Sequence, residues 1–78
     1  MLELYGMKSC RYTAELRDEL AWQGRPFVEF DVEADPEALA RMRRLTAGGT
    51  TVPVLVEDGE VVQVGWQGRG CFVRGATP

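Results

Sequence analysis

The sequence predicts an α/β domain of order β-α-β-α-β-β, built on a four-stranded mixed sheet. Three observations predict it. After Cys10, apolar residues recur four apart, the spacing of one helix face. The stretch PFVEFDVE alternates apolar and acidic residues, as a strand does. VPVLVEDGEVVQVG sets two β-branched runs about Asp58-Gly59, a dipeptide suited to a tight hairpin turn. A strand-helix-strand opening implies two parallel strands joined by a helical crossover, and the hairpin adds an antiparallel pair.

Each element has its own signal. Leu2 to Tyr5 reads as a short strand ended by Gly6. The first helix begins after Cys10, with Tyr12, Leu16 and Leu20 on its apolar face and Glu15, Arg17, Asp18 and Glu19 mostly on the wet side. Gly24 caps it and Pro26 follows, because glycine takes the left-handed conformation and proline cannot continue a helix. In the second strand Val28, Phe30 and Val32 point one way, Glu29 and Asp31 the other. Asp35 is the N-cap of the second helix and Pro36 its first residue. Leu39, Met42 and Leu45 form its stripe, and Gly48-Gly49 stop it. Strands then fall near Val54–Glu57 and Glu60–Val64. The tail GWQGRGCFVRGATP holds Gly65, Gly68, Gly70 and Gly75, and glycine costs about 1 kcal/mol against alanine inside a helix. A long third helix is therefore not expected.

Composition narrows the function. With 78 residues the chain makes one domain, which buries roughly 60–65% of its unfolded surface. Hydrophobic residues at 45% exclude a disordered chain, and a net charge of -3 argues against nucleic acid, whose phosphates need a basic face. Arg41, Arg43 and Arg44 form the one basic cluster, read mostly as a solvated helix face. MLELYG is too short for the apolar region of a secretory leader, and no apolar run nears the ~20 residues of a membrane span. A cytoplasmic protein with two reduced thiols, Cys10 and Cys71, is the expectation, with no membrane partner. There is no histidine, so imidazole is excluded as base or ligand, and no metal is expected.

Chemistry concentrates at Cys10. A thiolate at a helix start faces unpaired N–H groups and the positive end of the helix dipole, and cysteines so placed have pKa values lowered to roughly 3.5–7.5. Lys8 and Arg11 add positive charge, and the Thr13 hydroxyl is placed to donate to the sulfur. The other reading of Cys10 is a small, inert core residue. A second signal is TTVPV, a proline at the start of a strand, where its missing N–H is tolerated.

Taken together, a cysteine after the first strand and Val-Pro before the third resemble the glutaredoxins of the thioredoxin fold. LYGMKSCRYTAELRDELAWQGRPFVEFDV is similar to the family's opening strand, C-P-Y-C site and first helix; Thr51–Pro53 resembles its cis-proline motif, and the hairpin its following strands. The likeness spans about residues 2–66, and is nearest the short UXX-star group, some of whose members carry selenocysteine at the position of Cys10. It implies a thioredoxin-like fold with a truncated or absent third helix, divided as a domain at 1–66 and a glycine-rich tail at 67–78. It implies thiol–disulfide exchange at a single active-site cysteine, C-x-x-T, with Cys10 as nucleophile and a disulfide or glutathionylated substrate. Glutathione is the implied co-substrate, with Lys8, Arg11, Tyr12, Thr51, Val52 and Pro53 around it. Val52 would offer its backbone to glutathione or a peptide strand. Arg11 stands where the motif has proline, Thr13 where it has a second cysteine, and Met7 where the family has lysine; the tail lacks the acidic residues and helix that hold glutathione's γ-glutamyl end.

Cys71 is either an inert tail residue or the resolving thiol that Thr13 cannot be. Without a third helix, one sheet face is left to the first helix alone. Trp66, Phe72 and Val73 of the tail, or a second copy in a homodimer, are expected to cover it. Two other functions fit the pattern: an iron–sulfur cluster carrier bridged by a dimer, and a binding module that kept the fold and lost the chemistry.

Overall fold

The computed structural model describes residues 1–73. Its central strand β1 (Leu2–Gly6) is followed by α1 (Arg11–Trp22), β2 (Val28–Asp31), α2 (Pro36–Leu45), β3 (Thr51–Val52), β4 (Val54–Glu57), β5 (Glu60–Val64) and β6 (Cys71–Phe72). The main sheet runs β2-β1-β4-β5. β1 pairs parallel with β2, Glu3 opposite Val28, and antiparallel with β4, Leu4 opposite Leu55. β5 returns antiparallel on β4, with a bulge at Leu55/Val56. β3 and β6 form a separate two-stranded sheet.

The two faces of β1 explain both cores. Successive strand residues point to opposite faces, so Leu4 and Tyr5, both fully buried, seed one core each. Leu2, Leu4 and Leu55 pack with Leu16 and Leu20 of α1, and Phe27 and Trp66 close that cluster. Tyr5, Val54 and Val56 pack with Ala38 and Met42 of α2, together with Met7, Cys10, Val52 and Val73. Each such aliphatic side chain contributes about 1.5–3 kcal/mol on burial.

Local chemistry sets the ends of the elements. α1 stops in a Schellman motif: Gly24 at φ 69 donates to Ala21 O, and Arg25 N–H to Leu20 O. Arg17 then ties the helix to β2 by a two-pronged ion pair with Glu29, at 2.7 and 2.6 Å. Asp35 caps α2, Oδ1 accepting from Glu37 N–H at 3.1 Å and Ala38 N–H at 3.2 Å. Asp58 and Gly59 both take positive φ, 52° and 84°, as a two-residue type I′ hairpin turn requires.

Three sequence expectations are altered. α1 is rotated so that Thr13, Leu16 and Leu20 are its buried residues, while Tyr12 is half-buried against the α2-side cluster. Arg41, in the basic cluster read mostly as a solvated face, is half-buried and bonded. Its Nε donates to Tyr5 Oη at 2.8 Å, and its guanidinium lies 4.9 Å from the Phe30 ring centre. The tail, given above as residues 67–78, contributes a strand to the fold. Gln67 and Gly68 both take positive φ, 51° and 77°, and Trp66 and Arg69 exchange backbone hydrogen bonds across them. That turn sends the chain back alongside β3. Residues 74–78, Gly75 among them, lie outside the described residues.

Among the described residues no helix follows α2. Of the three apolar tail residues, Trp66 joins the α1 side and Val73 the α2 side, while Phe72 stays 73% exposed. No helix of the described residues is long and apolar enough to cross a membrane.

Candidate active site: two cysteines beside a strand edge

Cys10 sits at the N-cap of α1 because the loop before it is held from two sides. Its own N–H donates to Met7 O at 3.1 Å, and Ala14 N–H returns to its carbonyl at 3.2 Å. Thr13, one turn in, is fully buried, and its Oγ1 accepts from Met7 N–H at 3.4 Å. A β-carbon on Gly6 would overlap that threonine side chain, so glycine at the strand end is what lets Thr13 pack there. Thr13 thus secures the Met7–Cys10 loop; among the described residues it makes no hydrogen bond to the cysteine sulfur. No side chain caps the first turn of α1, and no acidic residue stands in it. The N–H groups and positive dipole end therefore face the Cys10 position without a competing carboxylate.

Cys71 arrives from the other end of the chain and is bonded to Cys10, Cα atoms 6.0 Å apart, across 61 residues of sequence. The local motif holds one cysteine; the folded site holds two. β6 delivers the second by pairing antiparallel with β3, Val52 opposite Cys71 and Thr51 opposite Phe72. Val73 N–H donates to Thr50 O at 2.9 Å. Hydrogen-bonded and open pairs alternate along an antiparallel ladder, which makes Val52 and Cys71 the next hydrogen-bonded pair. The approach is close: a β-carbon on Gly70 would stand 2.6 Å from Val52 O and 2.8 Å from Thr51 Cγ2. Val52 and Pro53 are buried, and the peptide bond between them is cis.

The remaining sequence candidates are spread more widely. Tyr12 packs against the cluster that contains Cys10, with the Arg11 guanidinium 5.7 Å from its ring centre. Arg11 itself is exposed and paired with Glu15 at 3.6 Å. Lys8 is exposed and lines a cleft of about 450 Å³ with Arg17, Glu29 and Asp31, between α1 and β2. Two contributors to the site, Gly70 and Val73, were not among its sequence candidates. The Gly-Cys-x-Val run was visible, but its partner strand, some twenty residues upstream, was not signalled.

The family model for glutaredoxin matches residues 2–62. The chain belongs to the glutaredoxin family. Two crystal structures of the thioredoxin-like protein BC3987 share its fold. One superposes with a TM-score of 0.75 at 30% identity, covering 86% of this chain and 89% of that one. The other, of a threonine-to-alanine mutant, gives 0.74 at 30% identity, covering 85% and 82%. None of the curated proteins compared matches the chain. As a glutaredoxin-like protein of thioredoxin fold, it has a scaffold for thiol–disulfide exchange, in a family that generally uses glutathione and acts on disulfide or glutathionylated substrates. The matched region ends at residue 62, and Cys71 lies outside it.

Proposed function

We propose that the protein is a thiol–disulfide oxidoreductase in which Cys10 is the nucleophile and Cys71 the resolving thiol. The observation that carries this reading is the Cys10–Cys71 bond, made where a helix N-terminus and the β3–β6 pair meet.

In the reduced protein the Cys10 thiolate attacks one sulfur of a substrate disulfide. The substrate S–S bond breaks, one substrate thiolate leaves and takes a proton, and a mixed disulfide joins Cys10 to the other half. The Cys71 thiol loses its proton and attacks Cys10 Sγ, the mixed disulfide breaks, and the second substrate thiol leaves. The substrate gains two electrons and two protons, and the protein is left with the Cys10–Cys71 disulfide. Two equivalents of a small thiol such as glutathione, abundant in the cytosol, reduce it again. Attack is assigned to Cys10 because it stands at the N-cap of α1, where unpaired N–H groups are at hand and no acidic residue lies in the first turn. Thr13 is a positioning residue, acting through the Met7 hydrogen bond that fixes the loop. Within the family, we infer that the chain stands nearest the UXX-star group.

Variants separate the two roles. Given a model disulfide, Cys71→Ser should stop at a mixed disulfide on Cys10, seen as an adduct by intact-mass spectrometry. Cys10→Ser should release no thiol at all. Turnover surviving in Cys10→Ser would refute the mechanism.

A further inference from the structure

Cys10 is 1% exposed while Cys71 is bonded to it, so an incoming disulfide reaches that sulfur through the space β6 occupies. A mixed disulfide formed through that opening places the partner's sulfur close to where Cys71 Sγ stands in the oxidised protein. A polypeptide carrying that sulfur meets the surroundings β6 meets. Those surroundings are selective. The residue before the cysteine lies against Val52 O and Thr51 Cγ2, and there is no room there for a β-carbon. The residue after it faces water, as the 73% exposure of Phe72 shows. The next one is buried: Val73 is 6% exposed, in a cluster with Tyr5, Met7 and Val32, and its N–H is held by Thr50 O.

We propose that β6 is a tethered template of the substrate. The reduced protein takes as its preferred partner an extended polypeptide of pattern glycine, cysteine, any residue, small aliphatic residue, laid along Thr50–Val52 with its cysteine opposite Val52. This deepens the oxidoreductase reading and rests on it. The tail and the substrate strand share one edge, so the substrate strand leaves that edge as Cys71 approaches Cys10 Sγ from the side opposite the departing sulfur, and β6 then pairs with β3 again. Glutathione, a tripeptide with a single glycine after its cysteine, has nothing to place in the Val73 position and is a poorer partner in this step.

The test uses the full chain as Cys71→Ser, with Cys10 reduced. Each probe is a mixed disulfide with the same coloured leaving group, 5-thio-2-nitrobenzoate. One carries a capped glycine-cysteine-phenylalanine-valine peptide, one the same peptide with aspartate for valine, and one glutathione. Cys10 attacks the peptide or glutathione sulfur, and the nitrobenzoate thiolate leaves. The valine peptide is expected to react at least tenfold faster than the other two. Adding Val73→Asp, which expels the competing tail, is expected to raise the valine-peptide rate further. Rates equal within twofold for all three probes would overturn the template while leaving Cys10 as nucleophile. No reaction with any probe would overturn both readings.

Discussion

Reducing the Cys10–Cys71 bond should destabilise the fold by about 3 kcal/mol, and the figure can be built from the chain. The bond spans 61 residues. Closing a loop of that length removes chain entropy from the unfolded state worth about 4 kcal/mol at 25 °C. Reduction returns some of this, because a thiolate at the α1 N-terminus gains about 0.3–1 kcal/mol from the helix dipole in the folded state only. β6 cannot replace the covalent bond, since two paired residues on each strand form too small a sheet to stand alone. For a domain of this size the net loss corresponds to a fall in melting temperature of roughly 12–24 °C. The assay is urea unfolding of the oxidised protein, the protein in excess dithiothreitol, and the Cys71→Ser variant, at pH 7. The latter two should agree with each other and fall below the first. Oxidised and reduced forms of equal stability, or a more stable reduced form, would refute the reasoning.

Further outcomes follow from the packing and the charges. Gly6→Ala should cost about 1–3 kcal/mol by overpacking against Thr13, and a Thr13→Ala change in the same chain should recover part of it, a coupling that a double-mutant cycle in urea reads directly. Burial raises the Tyr5 phenol above its ordinary value of 10.0, with the Arg41 hydrogen bond opposing. The native state therefore keeps that proton to higher pH than the unfolded chain, so its contribution is intact below pH 10 and is lost as pH rises through the folded value. Tyr5→Phe should flatten the alkaline fall in stability. Asp35→Ala, which leaves the N–H groups of Glu37 and Ala38 without their acceptor, should cost about 1 kcal/mol by the same unfolding assay.

What the sequence reveals here is what its local chemistry determines. Asp35-Pro36 starts a helix and Asp58-Gly59 turns a hairpin through interactions a few residues long, and both stand where the pattern puts them. The parallel β1–β2 pair and the antiparallel β4–β5 pair follow from the crossover and hairpin logic, while the β1–β4 pairing that joins them has no local signal. Rotation of a helix is subtler. Thr13 is buried because Gly6, seven residues earlier, has no side chain, and that cannot be inferred from threonine's polarity. Arg41 folds back onto the protein, half-buried, because two rings, on β1 and β2, present their faces and a phenol to it. The tail strand was the least legible. It depends on a turn in which Gln67, not a glycine or asparagine, takes positive φ, and on pairing with β3, a strand two residues long. Cys71 was therefore visible as a candidate, while its position opposite Val52 was not.

The central claim is that Cys10 and Cys71 of one chain form a reversible two-electron couple. The direct measurement is a peptide mass map of the native protein, acid-quenched and alkylated after equilibration over a series of glutathione redox poises at pH 7. One intrachain cross-link between the Cys10 and Cys71 peptides, appearing and vanishing in a single transition, is the predicted result. Cys71 alkylated at every poise, with Cys10 carrying only glutathione or bridging to a second chain, would contradict it.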